Sequence, residues 1–84
     1  MRESFCALTF YSTHLALRFE ATVKKQKINA RLIPVPRQIS SSCGLAARFE
    51  CEDLEEIKRV CQEENIEHEN TYRVFANGNA EEIH

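Results

Sequence analysis

The sequence predicts an α+β sandwich, and three observations carry that expectation. Short apolar runs of strand character alternate with two amphipathic segments of helical period. A chain of 84 residues encloses one hydrophobic core and not two. Only two prolines and two glycines interrupt it, and 43% of its residues are apolar, which favours regular elements over disorder.

Phe5 to Tyr11 is a compact apolar run with aromatic and β-favouring residues, the pattern of a buried strand. Ser12 follows as an N-cap, because its hydroxyl can accept a free N–H from a first helical turn. From His14 to Lys27, Leu15, Phe19 and Val23 recur at helical spacing, with Ala16 beside the stripe. Lys24, Lys25 and Lys27 gather at the end where the helix dipole favours cations. Ile28, Ala30 and Leu32 then alternate with Asn29, Arg31 and Ile33 as a second strand, which Pro34 and Pro36 stop. Beyond a polar loop, Leu45, Ala47 and Phe49 alternate with Ala46, Arg48 and Glu50 as a third. Glu52 and Asp53 open a second helix whose buried stripe is Leu54, Ile57 and Cys61, with Val60 beside it. Asn65 stops that helix, and Thr71 to Phe75 forms the last strand.

The order β-α-β-β-α-β, with right-handed crossovers, predicts the ferredoxin-like split βαβ sandwich. A four-stranded antiparallel sheet then carries both helices on one face. This single domain spans 1–75, and 76–84 reads as a flexible C-terminal tail. In that topology the first helix begins at the same end of the sheet as the loop between strands two and three. Ser12, Thr13 and His14 are therefore expected near the Pro34–Gly44 loop. Cys51 belongs at the other end, about 23 Å from Cys43 at strand rise, which rules out a Cys43–Cys51 disulfide.

A net charge of −2 gives no electrostatic reason to expect nucleic acid. No apolar run approaches the ~20 residues that span a bilayer. The start, Met1-Arg2-Glu3-Ser4, leads into a stretch too mixed for a signal peptide, so the expected location is the cytoplasm. There the four cysteines stay reduced. Cys6, Cys43, Cys51 and Cys61 contain no Cys-x-x-Cys pair, and the histidines are scattered, with His84 a solvated last residue. No metal and no cofactor are expected.

Cys6 is in phase with Leu8 and Phe10, and Cys61 lies on the buried stripe, so both read as core thiols. Cys51 is flanked by Glu50, Glu52 and Asp53, which oppose a thiolate, and reads as an incidental surface cysteine. Cys43 differs. It lies in Ser40-Ser41-Ser42-Cys43-Gly44, with small neighbours, no carboxylate nearby in sequence, and Arg37 and Arg48 bracketing it. A helix N-terminus beside it would favour the thiolate. The plain alternative is a turn in which Cys43 packs and Gly44 supplies a positive φ.

Thr9-Phe10-Tyr11-Ser12-Thr13-His14-Leu15-Ala16-Leu17 and Arg31 to Ala46, through Pro34-Val35-Pro36 and Ser41-Ser42-Cys43-Gly44, resemble a known family. It is the small bacterial family named putative selenium/sulfur carrier protein-like, and the resemblance runs from about Ser4 to Tyr72. It implies that Cys43 carries sulfur or selenium as a persulfide or selenosulfide, received from a donor protein and passed to an acceptor. It also implies proline where this chain has Cys51. Supporting groups would be Ser12, Thr13, His14, Arg37, Ser42 and Gly44. Each has a plain reading as well: a surface helix residue for His14, a solvated loop charge for Arg37, and turn formers for the serines.

A second expectation concerns the face of the sheet without helices. If Cys6, Leu8 and Phe10 face the helices, then Phe5, Ala7, Thr9 and Tyr11 face away and form an apolar strip. The protein would then be a non-enzymatic interaction module, a homodimer or a docking subunit, with Cys43 incidental. RNA binding on that face fits poorly, because the third strand lacks aromatics for base stacking.

Overall fold

The computed structural model describes residues 4–83, so His84 and the Met1–Glu3 start lie outside the described residues. Strand β1 (Ser4–Thr9) leads into helix α1 (Thr13–Lys25), and strands β2 (Ala30–Pro34) and β3 (Leu45–Phe49) follow. A 3-10 turn at Cys51–Asp53 enters helix α2 (Leu54–Glu63), and strands β4 (Thr71–Phe75) and β5 (Ala80–Ile83) complete the chain.

The cap at Ser12 is as expected: its hydroxyl accepts from the Leu15 N–H at 3.3 Å. Both helices end by one device. Lys27 and Asn65 adopt φ of +58° and +54°, and the next residue, an isoleucine, bonds back into the last turn. Ile28 N–H donates to the Val23 carbonyl at 2.8 Å, and Ile66 N–H to the Cys61 carbonyl at 2.9 Å. Each isoleucine then turns onto the core, with Ile66 buried and Ile28 packed beside it. The Arg18 guanidinium ties the helices together by donating to the Glu64 carbonyl at 2.9 Å.

The sheet order is β2-β3-β1-β4-β5, with every neighbouring pair antiparallel. The first four strands follow the split βαβ arrangement, and β1 and β2 run parallel because both are antiparallel to β3. Pro34 is tolerated because β2 is an edge strand, where a missing N–H breaks no ladder. The four-strand expectation needs correction. Of the segment 76–84, read as a tail, residues 76–83 fold back at Asn77-Gly78 and add β5 beside β4. Gly78 takes φ +93°, and Phe75 N–H donates to the Asn79 carbonyl at 2.8 Å across the turn.

The main core joins Cys6, Leu8 and Phe10 to Ala16, Phe19 and Val23 of α1 and Ile57 and Cys61 of α2. The Phe10 and Phe19 rings meet at 5.3 Å between centroids. A smaller cluster of Ala7, Ala46 and Val74 occupies the opposite face, flanked by Phe5, Ile33, Ile39 and Tyr72. Among the described residues no helix is long and apolar enough to cross a membrane.

Candidate functional site

At one end of the sheet β1 and β2 finish while β3 and β4 begin, and this brings three connections together. They are the lead into α1, the loop from 35 to 44, and the segment before β4. The loop is closed by Val35 N–H donating to the Gly44 carbonyl at 3.0 Å. Gly44 takes φ +78°, the left-handed conformation expected of it, and its N–H reaches the Ser41 carbonyl at 3.4 Å.

Cys43 is half-buried and packs against the main core. Its sulfur lies 3.6 Å from the Ser41 hydroxyl and 3.7 Å from the Leu45 carbonyl. Ser41 Oγ is itself 2.9 Å from the Leu45 carbonyl and 3.4 Å from that of Phe10, so it pins the loop to the entry of α1. The hydroxyl has one proton and free lone pairs. Donating to a carbonyl, it can accept the S–H of a neutral thiol; turned to the sulfur, it donates to a thiolate. The same side chain serves either state.

The remaining supporting residues disperse. Ser12 is used as the cap of α1, while Thr13, His14 and Arg37 are exposed. Among the described residues no hydrogen bond or ion pair joins Thr13, His14 or Arg37 to Cys43. Ser42 serves a different group. Its backbone N–H donates to Glu69 Oε1 at 3.0 Å and its hydroxyl to Oε2. The Ser42 hydroxyl and then its amide hold the Glu69 carboxyl below the usual carboxylate range, against a smaller desolvation cost. A carboxylate is thus delivered to a loop that has none nearby in sequence, from 27 positions away.

A family model described as "Putative Se/S carrier protein-like" matches residues 5–73. The chain belongs to this family. No curated protein and no solved structure matches it. For this member of the Se/S carrier-like family, the matched region runs from β1 into β4 and includes the whole Ser41–Gly44 loop.

The other three thiols lie elsewhere. Burial pushes the Cys61 thiol up to about 11, in keeping with a packed core residue. Cys6 is fully buried, as expected, but it has company that the sequence did not disclose. It sits directly across from Arg73 in β4 and from Phe49 in β3, and Cys51 follows two residues later. Cys51 is half-buried and packs against the same core cluster as Cys6. Burial first, then the Cys51 sulfur, push the Cys6 thiol up to about 12. The Cys51 sulfur, and after it that of Cys6, strengthen the hold of the Arg73 guanidinium on its proton against a desolvation cost. Cys51 is therefore no isolated surface cysteine. The available signal was strand register, since residues two apart on one strand share a face.

The expected apolar strip also changes. Ala7 and Thr9 are fully buried, and Thr9 Oγ1 accepts from the Asn70 N–H at 3.1 Å. The Arg48 guanidinium lies 4.0 Å over the Phe5 ring, a cation–π contact. Tyr11 is 55% exposed but lies past the end of β1, in a groove beside Lys58, Ile66 and His68. The four residues do not form one wetted strip.

Proposed function

We propose that the protein carries sulfur or selenium on Cys43 and passes it between a donor and an acceptor protein. The supporting observation is the Ser41 hydroxyl, 3.6 Å from the Cys43 sulfur and able to bond with thiol or thiolate. Family membership points to the same chemistry. The Cys43 thiolate attacks the outer sulfur of a donor persulfide, forming a new S–S bond while the donor departs as a thiolate. An acceptor nucleophile then takes the outer atom, and Cys43 is released as a thiolate. With selenium as the outer atom the steps are the same, and no net oxidation occurs in either transfer. No cofactor enters the scheme. A docking role for the open face draws its contact area from Phe5, Ile33 and Tyr72, since Ala7 and Thr9 are covered.

Incubation with a low-molecular-weight persulfide, followed by peptide mass mapping, tests the proposal. One added sulfur is expected on the peptide containing Cys43. Cys43→Ser should abolish loading, and Ser41→Ala should slow it several-fold while leaving the circular dichroism spectrum unchanged. Undiminished loading in Cys43→Ser, or sulfur found on Cys51 in its place, would overturn it.

A further inference from the structure

We propose that Cys51 and Cys6 form a dithiol redox centre at the opposite end of the sheet from Cys43. It would take low-molecular-weight disulfides as oxidants and close to an intramolecular disulfide, with Arg73 as its positioning cation. The placement follows from strand register. Cys6 pairs with Phe49 on one side and Arg73 on the other, so all three side chains share the face beneath the helices. After Phe49 the chain turns sharply, with Asp53 N–H donating to the Glu50 carbonyl at 2.8 Å. That 3-10 turn folds Cys51 back onto the core beside Cys6. Both thiols pack in the one core cluster, on a strand and a 3-10 turn that touch each other, so the bond would join neighbours in the fold.

The two sulfurs have different access. Cys51 is partly exposed and can meet a disulfide from solvent, whereas Cys6 has no exposed surface. Cys51 is therefore the attacking thiol and Cys6 the resolving one. Arg73 supplies the charge. Its Nε is buried and has no hydrogen-bond partner, and the residue stands directly across from Cys6 in the strand register. A buried donor left unsatisfied is costly, and a sulfur anion beside it offsets that cost.

The chemistry balances without a further reactant. Cys51 thiolate attacks one sulfur of the oxidant, whose S–S bond breaks and releases one thiolate. Cys6 then attacks the Cys51 sulfur of the mixed disulfide, and its proton passes to the departing thiolate. Two protein thiols are oxidised by two electrons, and the oxidant is reduced to two free thiols.

The test uses the full chain and oxidised glutathione at neutral pH, read by peptide mapping. A Cys6–Cys51 cross-link is expected in the wild type and also in Cys43→Ser, which separates this centre from the carrier thiol. Cys51→Ser should lose the cross-link. Cys6→Ser, or Cys6→Ala if the hydroxyl disturbs the core, should instead accumulate glutathione on Cys51. Arg73→Gln should slow capture at Cys51 several-fold, with partial rescue in Arg73→Lys. The proposal fails if Cys51 stays unmodified while Cys43 is captured, or if the cross-link joins other cysteines. Neither failure affects persulfide loading at Cys43.

Discussion

Ser41 has one hydroxyl proton and three neighbours within reach: the Phe10 and Leu45 carbonyls and the Cys43 sulfur. Ser42 is committed to the Glu69 carboxylate. Two adjacent serines thus do different work, one facing the thiol and one tethering the loop to the segment before β4. The tether has a pH signature. The Glu69 carboxyl titrates lower in the fold than its ordinary value of 4.5. Its stabilising contribution is therefore complete above pH 4.5 and is lost as pH falls through the lower folded value. The Ser42 amide resonance should shift with a midpoint below 4.5, and Glu69→Gln should remove that titration. A midpoint at or above 4.5 would show that the contact does not hold in solution.

At the scale of elements, both helix ends use a non-glycine residue at positive φ, Lys27 and Asn65. Asparagine tolerates that conformation, but lysine is strained there. Lys27→Gly is expected to raise the unfolding free energy by up to about 1 kcal/mol, measured by urea denaturation. The stripes of α1 and α2 were legible because Leu15, Phe19 and Val23, or Ile57 and Cys61, repeat with the helical period. Strand β5 was not, because Ala80-Glu81-Glu82-Ile83 lacks the apolar alternation of a half-buried strand. Its one clear signal was Asn77-Gly78, a hairpin turn pair. β5 covers the edge of β4, whose open N–H and C=O groups would otherwise recruit another chain. A chain ending after Asn79 should self-associate more strongly in analytical ultracentrifugation, and an unchanged monomer fraction would count against that role.

For the molecule as a whole, stability should narrow at both ends of the pH scale. Burial, reinforced by Lys58, holds the His68 imidazole below its ordinary value of 6.5. The unfolded chain therefore binds that proton more readily, so stability is full above pH 6.5 and declines as pH falls below it. On the alkaline side, Cys6 and Cys61 are raised from 9.0 to about 12 and about 11. Their contribution is complete below pH 9.0 and is lost as pH rises through the folded values. Thermal denaturation between pH 5 and 10 should show both declines. His68→Gln should flatten the acid limb, and Cys61→Ala should soften the alkaline one. An acid limb unchanged in His68→Gln would remove His68 as its cause.

The sequence by itself determined the helices, four of the five strands, the split βαβ order and the loop that holds Cys43. These depend on local period, capping and turn chemistry, which neighbouring residues carry between them. Only the tertiary structure decided which side chains meet. Glu69 reaches Ser42 because the segment before β4 lies beside the end of β1. Cys51 packs against the core of Cys6, with Arg73 across from Cys6, because two strand registers and a 3-10 turn converge. Those meetings depend on register, and a one-residue slip would turn each paired strand residue to the other face. The fold class therefore held for its first four strands, while the surroundings of each thiol had to be seen.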